Sequence, residues 1–76
     1  MFWNYEGNKM NRFAVCFYSD SLGQIFKILE AENRDEVLKL FFDEFVSGYT
    51  KDSEGFAWFK DDFFDNKMPM GVIEGI

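Results

Sequence analysis

Apolar residues recur along this chain in two rhythms. Residues 12–18, Arg-Phe-Ala-Val-Cys-Phe-Tyr, are almost continuously apolar and β-prone, which predicts a strand covered on both faces. Residues 24–31, Gln-Ile-Phe-Lys-Ile-Leu-Glu-Ala, form a second strand with Lys27 set inside it. Between them Ser19-Asp20-Ser21-Leu22-Gly23 is dense in turn formers, so the pair reads as an antiparallel hairpin with a five-residue loop.

The period then becomes that of a helix. Val37, Leu38, Phe41, Phe42, Phe45 and Val46 define one broad apolar face. Asn33 is placed to cap, with Glu36 in the reciprocal position of a capping box. Asp35 and Glu36 lie where the positive end of a helix favours acids. Asp35 and Lys39 make an i,i+4 pair in the favourable orientation. Gly48 stops the helix at about residue 47.

Tyr49 to Gly55 reads as a polar loop. Phe56-Ala57-Trp58-Phe59-Lys60 is a third strand candidate, with Phe56 and Trp58 on one face. Residues 61–67 read either as a short helix capped by Asp61 or Asp62 or as the far end of a hairpin arm. Pro69 breaks what precedes it, and residues 70–76, with two glycines, make an edge-like last strand. The order β-β-α-β-β predicts an α+β fold, a small antiparallel sheet of about four strands with one helix, about residues 34–47, on one face. Residues 10–76 read as a single domain. Met10-Asn11-Arg12 resembles a second start, which makes residues 1–9 an N-terminal appendage, although Phe2, Trp3 and Tyr5 suit docking on the core.

Composition explains how so short a chain holds together. A domain of this size buries roughly 60% of the surface its unfolded form exposes. Eleven Phe, three Tyr and two Trp among 76 residues supply the core instead with large rings. Cys16 is the only cysteine, so it has no intrachain partner and reads as a small buried hydrophobe in a reducing compartment. No stretch approaches the ~18 apolar residues of a membrane span, and residues 1–5 lack the form of a signal peptide. The expected location is cytoplasmic.

Charge is lopsided. Residues 1–34 balance four bases against four acids, whereas residues 35–76 carry four lysines and ten acids, the whole net charge of −6. With Asp35 and Glu36 assigned to the helix start and Glu74 standing apart, the acidity concentrates in residues 43–65. Such a surface repels nucleic acid and anionic membrane and attracts basic protein surfaces.

The absence of histidine excludes imidazole acid–base chemistry and Ser-His or Cys-His nucleophiles. The glycines at 7, 23, 48, 55, 71 and 75 are isolated, so no phosphate loop is present. Asp52-Ser53-Glu54-Gly55 lacks the further acids of a calcium loop and reads as a turn. Asp61-Asp62-Phe63-Phe64-Asp65 resembles in its letters the DDxxD motif of terpene and prenyl-diphosphate synthases, whose carboxylates hold Mg²⁺ against a diphosphate. That resemblance covers five residues of 76, and the family builds a large helical bundle that this chain is too short to form. No enzymatic activity, metal or cofactor is expected.

Recognition is the remaining class. Asp43, Glu44, Asp52, Glu54, Asp61, Asp62 and Asp65 form the candidate partner-binding surface, with Tyr49 and Trp58 as aromatic anchors. The expected partner is a protein with a basic surface, such as a nucleic-acid-binding protein whose groove accepts carboxylates in place of phosphates. Direct binding of nucleic acid or membrane is not expected. In size and charge the chain resembles small acidic proteins of phages and plasmids, anti-CRISPR proteins among them, which implies an inhibitor of a host nucleic-acid-binding or defence protein. The alternative is a structural or regulatory module that self-associates as a homodimer through exposed aromatic surface, the acids serving solubility.

Overall fold

A three-residue loop, shorter than the five residues expected, closes the first hairpin. Strands β1 (Asn11–Ser19) and β2 (Gly23–Ala31) pair antiparallel from Asn11↔Ala31 to Ser19↔Gly23. Gly23 takes a left-handed φ of +73° that a side chain would resist, and Ser19 Oγ accepts the Leu22 N–H at 3.1 Å. The computed structural model describes residues 10–76, so the N-terminal appendage expected at 1–9 lies outside the described residues.

Helix α1 (Arg34–Phe45) follows at once. Asn33 Oδ1 accepts the Glu36 N–H at 2.9 Å, and Glu36 Oε1 reaches back to the Glu32 N–H at 3.2 Å. Val37, Leu38, Phe41 and Phe42 are buried. The helix stops earlier than residue 47, with Val46 at its C-cap and Gly48 at a φ of +96°. No base lies in its last turn. Lys51 supplies one from beyond the helix, its Nζ donating to the carbonyls of Phe42 and Val46 and standing 4.3 Å from the Phe42 ring centroid. Lys39 pairs with Asp43 at 2.9 Å, one turn on, and not with Asp35.

The segment expected as a loop followed by a third strand is instead a second helix, α2 (Ser53–Phe63). Asp52 accepts the Gly55 N–H at 2.8 Å and the Thr50 hydroxyl at 2.8 Å, so the anticipated turn at 52–55 is this helix's first turn. Phe59 and Phe63, one turn apart, are fully buried, while Trp58 is 61% exposed. Helical spacing of the rings thus prevails over the Phe56/Trp58 alternation, which places the wrong pair inside. The loop after α2 contains Pro69 and is held by Asp65 Oδ1, which accepts the N–H groups of Lys67 and Met68 at 2.8 and 2.9 Å.

Strand β3 (Gly71–Gly75) then pairs antiparallel with β1, from Phe17↔Gly71 to Phe13↔Gly75. The architecture is α+β, with a three-stranded antiparallel sheet in the order β2-β1-β3 and two helices, where four strands and one helix were expected. Phe17 lies 5.0 Å from Phe59 and 6.1 Å from Phe63 between ring centroids, which seats α2 on the sheet's inner face. Phe13, Val15, Phe17 and Ile73 line that face, and the α1 rings close over them. Phe59 stands at the centre, within 6.3 Å of the rings of Phe17, Phe41, Phe42, Tyr49, Phe56 and Phe63.

Among the described residues no helix lies on the opposite face of the sheet. Along β1, Ala14 and Cys16 are half-buried and Tyr18 is exposed, so the described residues cover this strand on one face where two were expected. Cys16 correspondingly lies on the open face, where its Sγ accepts from Gln24 Nε2 at 3.2 Å.

Candidate protein-binding surface

The acids of residues 43–65 divide into those with a local partner and those without one among the described residues. Asp52 caps α2, and the Gly55 N–H followed by the Thr50 hydroxyl holds its carboxyl below the usual carboxylate range. Asp65 is lowered likewise by the N–H groups of Met68 and Lys67. Asp62 accepts the Tyr49 hydroxyl at 2.6 Å. Burial, then this bond and the Asp62 charge, push the tyrosine hydroxyl well above its ordinary pKa. Asp43 is paired with Lys39.

Tyr49 is held in place by the core and by Asp62. Its ring packs edge-on to Phe42 and Phe59 at 6.0 and 5.8 Å, and it is half-buried. The three aspartates of the DDxxD-like letters do not converge. Asp62 turns to Tyr49, Asp65 to the following loop, and Asp61 is exposed. Among the described residues no three acids or thiols gather as metal ligands.

Glu54, Trp58 and Asp61 remain. They fall on α2 at i, i+4 and i+7, which puts them on the helix face turned away from Phe59 and Phe63, and all three are exposed. At 1.5 Å per residue the two carboxylates are separated by about 10 Å along the axis with the indole between them. Glu44 is exposed on α1. The two helices' acids do not form one uninterrupted sheet of charge. Lys39 from α1 and Lys60 from α2 both lie over the Phe56 ring, at 5.7 and 4.9 Å from its centroid, and place positive charge at the seam.

Two depressions among the described residues lie away from this helix. One, of about 530 Å³, is bounded by Met10, Arg12, Ile28, Glu30 and Ile76, and the other, of about 280 Å³, by Tyr18, Asp20, Met68 and Met70. No family model matches this chain, and no curated protein or solved structure does. The reading of the surface therefore stands on its chemistry. Among the described residues no helix is long and apolar enough to cross a membrane. Sequence reasoning singled out Trp58 and its flanking acids but set Trp58 on a strand, Glu54 in the preceding loop and Asp61 in a segment open between helix and hairpin arm. The cap letters Asp52-Ser53-Glu54 before the Phe56, Phe59, Phe63 spacing were the signal for a helix.

Proposed function

We propose that this protein is a non-catalytic interaction module that docks on a basic surface of a protein partner through the outer face of α2. The observation that carries the reading is Trp58. It is 61% exposed, whereas the other rings of its helix and of α1 that face the sheet are packed together. An exposed indole flanked by carboxylates matches the composition of an interface anchor with an acidic rim. It suits an arginine best, which stacks on the ring while its guanidinium meets Glu54 or Asp61.

The sharper form of the reading is an inhibitor that fills the nucleic-acid groove of a host defence or nucleic-acid-binding protein, in the manner of small acidic effectors of phages and other mobile elements. It acts in the cytoplasm, with carboxylates standing where phosphates bind. The net charge of −6 supports it by steering the encounter.

The test compares wild type with Glu54→Lys, Asp61→Lys and Trp58→Ala as competitors for nucleic acid on proteins captured from lysate. These three positions are exposed and hold no cap, so the variants fold. Wild type displaces nucleic acid in a salt-dependent way and each variant loses at least tenfold in potency. Capture that all three variants leave unchanged, or that salt does not weaken, refutes the reading.

A further inference from the structure

Leu40, Trp58, Phe64 and Met68 are exposed singly on the helices and the loop, whereas the other large exposed apolar residues gather in one place. Met10, Tyr18, Phe26, Ile28, Val72 and Ile76 each expose more than half of their surface, and all lie on or at the ends of the open sheet face. The register shows the relief of that face. Cys16 stands between Phe26 on β2 and Val72 on β3, and Ala14 between Ile28 and Glu74. Two small residues on the central strand thus make a trough, and Phe26 with Ile28 make a ridge beside it.

We propose that this face is the interface with a second copy of the chain, packed sheet on sheet about a two-fold axis. The shape is self-complementary, because a two-fold places the ridge of one copy in the trough of the other and the reverse. The area suffices. Six large side chains exposing on the order of 100 Å² apiece, together with Ala14, Cys16 and Gln24, approach the roughly 800 Å² per partner of a standard interface. Charge selects the same occupant. Among the described residues the outward strand positions of this face carry Arg12, bonded to Glu30 at 3.3 Å, and Glu74, with Asp20 at its end, so two copies meet here with less repulsion than at the helices. The basic partner proposed for α2 finds no comparable acidity on this side.

Cys16 reports on the packing. In the separate chain its thiol is half-exposed, and between two sheets it is covered. The experiment is sedimentation of the full chain from micromolar to millimolar concentration, with the rate of Cys16 alkylation measured alongside. Wild type dimerises and its alkylation slows as the dimer forms. Phe26→Lys and Ile28→Lys, both at exposed positions, weaken the dimer about tenfold or more, a charge buried at each of two symmetric sites, and restore fast alkylation. Trp58→Ala and Asp61→Lys change neither reading, which separates this inference from the α2 surface. A chain that stays monomeric at millimolar concentration overturns the proposal. So does a dimer that survives both lysine variants. Protection of Cys16 in the monomer that disappears on deletion of residues 1–9 also overturns it, by assigning the face to the chain's own N-terminal segment.

Discussion

Replacing Gly55 by alanine sets helix propensity against packing, and the two predict opposite signs. Gly55 lies inside α2, where alanine in its place ordinarily stabilises by about 0.8–1.0 kcal/mol. Its φ is not in the left-handed region, so no backbone strain opposes the change. The obstacle is the loop that enters the helix. A Cβ on Gly55 falls against the Thr50 carbonyl and within 2.6 Å of Thr50 Oγ1, where real Cβ contacts stay beyond 3.0 Å. The Thr50 hydroxyl is itself bonded to the cap at Asp52, so the loop cannot yield without loosening that bond. Overpacking of this kind costs typically 1–3 kcal/mol, and because the obstacle is backbone the upper part of that range applies. After the propensity gain the net loss is about 1–2 kcal/mol, or on the order of 5–15 °C in Tm for a domain of this length. Thermal unfolding followed by circular dichroism measures it. Ala57→Gly, at an exposed position of the same helix, is the control and costs about 1 kcal/mol from propensity alone. A Gly55→Ala chain as stable as wild type, or more so, refutes the close approach of Thr50 to α2.

Phe59→Ala removes the ring on which six others converge, so urea unfolding should show a loss of about 3–5 kcal/mol. That is comparable to the whole stability expected of a domain this small, and Phe59→Leu should retain much more of it. Lys51→Met leaves the Phe42 and Val46 carbonyls without their charged donor and should cost about 1–2 kcal/mol, whereas Lys67→Met, in an exposed loop, should stay within about 0.5 kcal/mol of wild type. The carboxyls of Asp52 and Asp65 are lowered in the folded state, so the unfolded chain binds protons first as pH falls. Their contribution is full above the unfolded carboxylate pKa and disappears as pH falls through the lower folded value. Asp52→Asn keeps an equally good cap and should leave neutral-pH stability nearly unchanged while flattening the acid limb of Tm against pH.

The hairpin and α1 were legible because their signals are local. Asn33, Glu36 and the apolar face of α1 act within a few residues of one another, and so do the turn letters of residues 19–23. The error at 56–60 arose because Phe-Ala-Trp-Phe alternates as well as it recurs. The cap letters Asp52-Ser53-Glu54 favour the helix, and the burial of Phe59 against Phe17, a contact between helix and sheet, decides between the two periods. The local surroundings of the acids were likewise beyond the letters. Sequence grouped seven of them as one surface, while long-range bonds assign Asp62 to Tyr49 and local ones assign Asp52 and Asp65 to backbone. The capping of α1 by Lys51 had no sequence signal, because it depends on how the loop folds back.

The place of β1 at the centre of the sheet also orders the folding reaction in time. Its pairing with β2 closes across three loop residues, but Phe17 and Gly71 meet across more than fifty residues of chain. Loop closure costs ~0.6 kcal/mol more for each doubling of length, so engaging β3 costs about 2.5 kcal/mol beyond engaging β2. A nascent chain whose residue 71 has not yet emerged therefore holds a two-stranded hairpin with one edge of its central strand unsatisfied. During that interval the β1 backbone groups that later pair with β3, from the Arg12 carbonyl to the Tyr18 N–H, are open to a chaperone or to another unfinished chain.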